Sequence, residues 1–305
     1  MIHIHEAAVR AQLPMAKAVD LLEAAFDAWK DGRAFNQPRC RMLMPSGAVL
    51  HSLAGYNETY FGTKVYSTHP KHGAWFHFLL YDAATARPLA LIEANWLGQL
   101  RTGAASGLAT RRLAREGPAI VAVLGSGFQA RGQLEAVRAV REVTRVLVWS
   151  RQRENAEKFA AEMGAEVAET ADAAVQAASI VVAATSAKDP LFAAASVRPG
   201  THICAAGSNA PGRRELPGEL FARASAIVAD SIEQARVEAG DLILGLDEAG
   251  WGRVEELKDG RVRRDADEIT VFKSVGLGLE DVAVAGWVYD AIRERRPEDL
   301  NRARR

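Results

Sequence analysis

Two glycines and an alanine in the middle of the chain have the spacing of a phosphate-binding turn. Gly125, Gly127 and Ala130 form a Gly-x-Gly-x-x-Ala pattern between an apolar run, residues 119–124, and a stretch with helical periodicity. The first glycine permits a tight turn, the second lets the backbone approach a phosphate, and the small third residue lets helix and strand pack closely. Amide groups at the helix N-terminus would bind the phosphates. The pattern therefore predicts a dinucleotide-binding site.

The end of the next predicted strand indicates which dinucleotide binds. An enzyme that uses NAD usually has an acidic residue at this point to bind the ribose hydroxyls, but this chain has Ser150 and Arg151. An acidic side chain would repel a 2′-phosphate, whereas serine can donate a hydrogen bond to it and arginine can form an ion pair with it. We therefore expect NADP(H) to be favoured, with NAD(H) possible if Arg151 is only a solvated residue at a helix start.

Further cofactor contacts are expected at the carboxyl ends of neighbouring parallel strands, where such sheets bind their ligands. Gln129 follows the glycine turn, and Thr102 could reach the nicotinamide or a phosphate. The remaining candidates end two other apolar runs, and they are Thr185, Ser186, Gly207 and Ser208.

The elements that position these residues follow from the hydrophobic pattern. Residues 14–30 have apolar side chains at helical spacing, and residues 39–92 contain short apolar runs separated by Pro, Gly and Asn, which predicts an antiparallel sheet. Residues 94–114 are predicted to form a helix. From residue 119 onward strands and helices alternate, which predicts a parallel doubly wound sheet, and residues 278–293 are predicted to form a last helix.

The composition excludes several classes of partner. Lys plus Arg and Asp plus Glu number 38 each, so we expect neither nucleic acid nor a membrane as partner. Cys40 and Cys204 lack metal-ligand spacing, which fits a reducing compartment. No signal-peptide core and no uncharged run of membrane-spanning length is present, so we expect a cytoplasmic protein.

The spacing of the histidines in the sequence does not predict a metal site. His69 and His72 lie three residues apart without a cluster of cysteines or acidic residues, and the N-terminal His-Ile-His is expected to belong to a first strand. We therefore expect no metal ion.

Several motifs, in this order, resemble the ornithine cyclodeaminase/mu-crystallin family along nearly the whole chain. They are RMLMP (41–45), GTKVYSTHP (62–70), LRTGAASGLATRRLA (100–114), LGSGFQARGQLEAV (124–137), VWSRQRENAEKFA (148–160), AAGSN (205–209), REL (214–216), VADSIEQARVEAGD (228–241) and TVFKSVGLGLED (270–281). The resemblance implies a homodimer and hydride exchange at the carbon that carries the nitrogen of an amino or imino acid.

The resemblance, together with the hydrophobic pattern, predicts an α/β protein of two domains. A Rossmann-type doubly wound parallel sheet binds the dinucleotide, and an α+β domain binds the substrate and forms the dimer. We expect residues 1–117 with 275–305 to form the substrate and dimerisation domain. Residues 118–274 are expected to form the dinucleotide-binding domain.

Three cations match the positions where the family binds a substrate carboxylate. They are Arg41, Lys64 and Arg101, and a planar carboxylate suits guanidinium groups. Lys64 is also expected to contribute to catalysis. Alternatively, Lys64 guards a strand edge and Arg101 forms an ordinary salt bridge. Arg39 could replace Arg41, although the Arg-x-x-x-Pro spacing favours Arg41.

Asp230 matches the catalytic aspartate of the family. It ends the apolar run SAIVAD, at the carboxyl end of a predicted strand, where it could hold an iminium or take a proton from water. It could instead cap the following helix, and Glu238 and Asp241 are the alternative acids.

We expect NADPH-dependent reduction of a cyclic or N-substituted imine carboxylate, because an NADPH preference suits net reduction. The alternatives are conversion of ornithine to proline and ammonia with catalytic NAD, and dehydrogenation of an alanine-type amino acid. An NADPH-binding protein without activity, like mu-crystallin in the lens, is the alternative outside enzymes.

Overall fold

A computed structural model describes residues 1–295 of the chain. They divide into two compact units. The first unit contains residues 1–101 and the chain from Leu277 onward, and the second contains residues 102–276. Residues 296–305, which the sequence assigns to the substrate domain, lie outside the described residues.

Strands and helices alternate in the second unit and are segregated in the first. The strands are β1 (Ile2–Ile4), β2 (Phe35–Leu43), β3 (Val49–Tyr56), β4 (Tyr60–His69), β5 (Gly73–Asp82), β6 (Pro88–Glu93), β7 (Ala119–Leu124), β8 (Val143–Trp149), β9 (Glu166–Val167), β10 (Ile180–Ala183), β11 (His202–Ala205), β12 (Ala226–Ala229), β13 (Val254–Glu256) and β14 (Thr270–Lys273). The helices are α1 (Glu6–Gln12), α2 (Met15–Lys30), α3 (Asn95–Leu113), α4 (Phe128–Val140), α5 (Arg153–Met163), α6 (Ala171–Ala177), α7 (Glu219–Arg223), α8 (Ile232–Glu238), α9 (Gly240–Ile243), α10 (Glu248–Trp251) and α11 (Gly278–Arg295).

The first unit is built on a six-stranded sheet with the order β1-β6-β5-β4-β3-β2. Strand β1 is parallel to β6, and the other neighbours are antiparallel. Helix α11 packs on strands β2 to β5. Gly55 permits this approach, because a Cβ there would stand 2.4 Å from the backbone nitrogen of Leu279. The sheet thus has one face against α11.

The second unit contains an eight-stranded parallel sheet with the order β13-β12-β14-β11-β10-β7-β8-β9. Its central strands are short apolar runs that are buried along nearly their whole length, as expected for strands covered on both faces. After β7 the chain adds β8 and β9 on one side and β10 on the other. Such a switch point is where doubly wound sheets bind ligands.

Helix α3 is divided between the two units: its residues up to Arg101 belong to the first unit, and those from Thr102 belong to the second. Its carboxyl-terminal part is held by the second unit, because Arg141 donates hydrogen bonds to the carbonyl oxygens of Thr110, Arg111 and Ala114, and Gln133 donates to that of Thr102. The division of the chain therefore lies within α3, whereas the boundary predicted from the sequence lies just after it.

The predicted fold class is confirmed, since a parallel doubly wound sheet and a second, mixed sheet are both present. Several short elements escaped prediction, among them helix α1 and strands β13 and β14. Helix α1 is only seven residues long, and strand β14, of four residues, lies between β11 and β12 although it comes last in the sheet's chain order. None of the described helices is long and apolar enough to cross a membrane.

Candidate active site

The glycine turn between β7 and α4 leaves space for a ligand. Gly125 has a φ of +113°, and a Cβ there would stand 2.4 Å from the carbonyl oxygen of Ala184. Gly127, the N-cap of α4, has no atom within 4 Å of the position a Cβ would take. Ala130 is completely buried. These are the properties that a phosphate-binding turn requires.

A cavity of about 480 Å³ opens at the carboxyl ends of β7, β8, β10 and β11. It brings together most of the cofactor-binding residues predicted from the sequence, namely Gly125, Gly127, Gln129, Ser150, Arg151, Thr185, Ser186 and Gly207. Ala130, Thr102 and Ser208 are buried and do not line it.

The lining of this cavity fits an anionic dinucleotide. No carboxylate lies among the described residues that line it. The Ser126 hydroxyl donates a hydrogen bond of 3.0 Å to the Ser150 hydroxyl, and Arg151 is exposed at the rim. Arg153 is paired with Glu157 at 3.0 Å. The open turn and the absence of negative charge therefore suit an anionic ligand.

Glu215 holds the ends of two strands that line the cavity. The sequence patterns did not predict this role. One carboxylate oxygen accepts hydrogen bonds from the backbone nitrogen of Thr185 (2.6 Å) and from its hydroxyl (2.8 Å). The other accepts from the backbone nitrogen of Gly207 (2.9 Å). A Cβ on Gly207 would stand 2.3 Å from the nitrogen of Thr185. Burial raises the pKa of Glu215.

A buried ion pair fixes the segment that carries Glu215. Asp241 accepts hydrogen bonds from the backbone nitrogens of Glu215 and Leu216, at 2.5 and 2.9 Å. Lys273 lies 2.9 Å from Asp241 and donates to the carbonyl oxygen of Ser208 at 2.5 Å. Asp241, which the sequence offers as an alternative catalytic acid, therefore holds the backbone of the segment that carries Glu215.

Asp230 is completely buried at the end of β12. Its oxygens accept hydrogen bonds from the backbone of Ser231, from the Ser274 hydroxyl, and from the backbone of Val275 and Gly276, at 2.7–3.1 Å. Burial raises the pKa of Asp230, and these donors oppose the shift. Asp230 does not cap helix α8.

The cap of α8 is Ser231, whose hydroxyl accepts from the backbone nitrogen of Gln234. Glu238, the other alternative acid, is buried and accepts a hydrogen bond of 2.6 Å from the Gln234 side chain.

The first unit contains a buried cluster of two cations and two carboxylates. The ammonium of Lys64 lies 2.9 Å from both oxygens of Asp281. Arg101 donates to Asp281 at 3.2 Å and to Glu280 at 3.0 Å. Burial, followed by the Arg101 charge, lowers the pKa of Lys64 to about 8. Lys64 is 2% exposed on an interior strand, so it does not guard a sheet edge.

The two arginines of β2, Arg39 and Arg41, lower pKa values on the face of the sheet that carries Lys64. The charge of Arg39 is among those that lower the pKa of Lys64. Arg41 lies opposite His51 in the pairing of β2 with β3. Burial, then Arg41 and Arg39, lower the pKa of His51 to about 4. Arg39 thus acts on Lys64 and on His51.

Sequence patterns missed Glu280 and Asp281 as members of the cluster. Both lie in the first turn of α11, where acidic residues are common because they stabilise a helix N-terminus. Nothing in their spacing indicates cations that lie so far away along the chain.

Comparisons with known proteins agree with this architecture. A model of the ornithine cyclodeaminase/mu-crystallin family matches residues 2–296. A Δ1-pyrroline-2-carboxylate reductase of Bacillus cereus is 40% identical over 231 residues, which cover 71% of each chain.

Two solved structures have the same fold over nearly the whole chain. Thermococcus litoralis Δ1-pyrroline-2-carboxylate reductase in complex with NADH and L-proline has a TM-score of 0.90 and 31% identity, and covers 97% of this chain and 98% of its own. An archaeal alanine dehydrogenase dimer with bound NAD has a TM-score of 0.90 and 29% identity, and covers 96% of both chains.

Proposed function

The chain belongs to the ornithine cyclodeaminase/mu-crystallin family, and we propose that it is an NADPH-dependent reductase of a cyclic imine carboxylate. Its relatives support an NAD(P)-dependent enzyme with imine reductase activity. The observation that carries the narrower proposal is the buried pair of cations, Lys64 and Arg101. Asp281 and Glu280 neutralise these cations and fix their positions, and a guanidinium group has further donors that can bind the carboxylate of a substrate.

We assign Lys64 and Arg101 to the substrate carboxylate, together with one arginine of β2. Arg39 and Arg41 are both candidates for this third position, and the charge of Arg39 is among those that lower the pKa of Lys64. The spacing of the motif favours Arg41, which lies opposite His51. Comparing the KM of the imine in the Arg39→Ala and Arg41→Ala variants decides between them.

The reaction converts imine, NADPH and a proton into amine and NADP⁺. Bound NADPH would supply the hydride to the imine carbon, and the protein has to provide and position the proton for the nitrogen. Lys64 suits proton transfer, because its pKa of about 8 lies near neutrality. Asp230 suits the positioning of the protonated nitrogen, since a carboxylate can hold the protonated imine.

We assign the preference for NADPH to Ser150 and Arg151, which replace the expected acid at the end of β8. The 2′-phosphate would bind the serine hydroxyl and the arginine guanidinium. A Ser150→Asp/Arg151→Ala variant should therefore shift the ratio of kcat/KM values towards NADH. An unchanged ratio would contradict this assignment.

A panel of substrates followed at 340 nm tests the activity. Δ1-pyrroline-2-carboxylate and Δ1-piperideine-2-carboxylate are offered with NADPH and NADH, and ornithine and alanine with NAD⁺ and NADP⁺. We expect oxidation of NADPH by the cyclic imines. Proline has to be assayed separately in the ornithine reaction, because recycled NAD gives no net absorbance. Proline formed from ornithine, without imine reduction, would reject the proposal.

A further inference from the structure

Three potential metal ligands converge at the N-terminal edge of the first unit. His3 lies in β1, His5 precedes α1, and Glu93 ends β6. Their ligand atoms all lie within 4.8 Å of one another, and the His3 and His5 rings are 4.2 Å apart. The side chains are 46%, 65% and 32% exposed, so an ion in solution can reach them.

Strand pairing explains this convergence. In the parallel register of β1 with β6, Ile4 lies opposite Ile92, so the next residues, His5 and Glu93, meet where the pairing ends. His3 precedes His5 by two positions and therefore points to the same face of the sheet. The arrangement depends on a contact between residues 88 positions apart, and the His-Ile-His sequence alone cannot indicate it.

Two of the three separations between ligand atoms are close to those around a bound tetrahedral ion. The Nδ1 atom of His5 lies 2.9 Å, and the Nε2 atom of His3 3.6 Å, from the same Oε1 atom of Glu93. With zinc bonds of about 2.0–2.1 Å, ligand atoms around a tetrahedral zinc ion are about 3.3 Å apart. Small rotations of the imidazole rings would therefore complete the geometry.

Neighbouring hydrogen bonds already orient the carboxylate. The Oε2 atom of Glu93 accepts a hydrogen bond of 2.9 Å from the backbone nitrogen of Glu6. The Glu6 carboxylate in turn accepts from the backbone nitrogens of Asn95 and Trp96, both at 2.7 Å. Outer contacts of this kind hold a metal ligand in place, and they direct Oε1 towards the histidines.

We propose that His3, His5 and Glu93 form a zinc site that links β1 to the end of β6. Two neutral imidazoles and one carboxylate are ligands that zinc accepts, with water in the fourth position. To bind, His5 carries its proton on Nε2 and turns the lone pair of Nδ1 towards the ion. None of these three residues belongs to the reductase site proposed above.

Titration calorimetry with Zn²⁺ on the untagged, chelator-treated full chain tests this site. We expect one zinc ion per chain, and the His3→Gln/His5→Gln variant should bind it at least about ten-fold more weakly. The matched control is His69→Gln/His72→Gln, which also removes two neighbouring histidines, one half-buried and one exposed, with rings 4.5 Å apart. The control should bind zinc like the wild type.

Thermal unfolding gives a second readout. Zinc should raise the Tm of the wild type and of the control, but not that of the His3→Gln/His5→Gln variant, because an ion that binds the folded state stabilises it. The proposal is overturned if the wild type binds no zinc, or if the His3→Gln/His5→Gln variant binds it as tightly as the wild type does.

Discussion

At the scale of single residues, Lys64 is a side chain whose environment departs far from that of a surface lysine. Burial lowers its pKa from 10.5 to about 8, and the Asp281 carboxylate keeps that shift from being larger. The folded chain therefore binds this proton less tightly than the unfolded chain. Between pH 8 and 10.5 the contribution of Lys64 to folding stability should increase as the pH rises.

Loss of the Lys64 proton should also affect activity, and it should lower the activity rather than raise it. If the charged form of Lys64 binds the substrate carboxylate, kcat/KM for the imine should fall as the pH rises through about 8. The Lys64→Arg variant keeps its charge at these pH values, so its decline should be absent or much weaker. Equal declines in both proteins, measured between about pH 6.5 and 9.5, would exclude Lys64 as the cause.

Asp230 should be essential for turnover and dispensable for cofactor binding. Replacing it with asparagine removes the negative charge that would hold the protonated imine, so we expect kcat to fall by about 10² or more. The Kd for NADPH, measured by fluorescence, should change little. Ser274→Ala is the control, because it removes one hydrogen bond to Asp230 and keeps the carboxylate. Wild-type turnover in the Asp230→Asn variant would contradict the assignment.

At the scale of elements, the cavity depends on the loops after β10 and β11. Glu215 accepts hydrogen bonds from both loops. An ionised carboxylate suits this position, because all three of its partners are donors. A glutamine would direct an NH2 group at one of the two loops, so one contact would be lost.

The Glu215→Gln variant should therefore bind the cofactor more weakly. We expect the KM for NADPH to rise by about ten-fold, the cost of one hydrogen bond to a charged group, with a smaller change in kcat. Asp172→Asn is the matched control, because Asp172 likewise holds a loop through Ala193 and Ser196 but does not line the cavity. If both variants change the KM equally, Glu215 has no special role in positioning the cofactor.

The elements predicted most accurately are those that are determined by residues close together in the sequence. The β7–turn–α4 segment and helix α2 follow from apolar periodicity and glycine spacing, and they lie where the sequence places them. Glu215, Glu280 and Asp281 are different, because their partners are distant along the chain. Long-range ion pairs leave no periodic trace, so only the folded structure identifies them.

At the scale of the whole molecule, the six-stranded sheet presents an apolar surface. Met42, Val65 and Trp75 are 54%, 37% and 54% exposed. The pairing of strands β2 to β5 places them on the face opposite to Lys64. Exposed apolar surface of this kind favours association, and a related alanine dehydrogenase is a dimer.

We therefore expect a homodimer that uses this surface. Light scattering after gel filtration should give twice the mass of the chain for the wild type. Val65→Glu/Trp75→Glu should shift the protein to monomer, because it places charges in an apolar interface. Val262→Glu is the control, since Val262 is also 54% exposed but belongs to the second unit. A wild-type monomer would contradict the prediction.

In the proposed reaction, hydride passes from a nicotinamide cofactor to the carbon of a cyclic imine carboxylate. The most direct test is to incubate the protein with Δ1-pyrroline-2-carboxylate and NADPH that carries two deuterium atoms at C4 of the nicotinamide, and to analyse the product by mass spectrometry and NMR. We predict proline with a single deuterium at C2. Absence of proline, or proline without deuterium, would exclude this reaction.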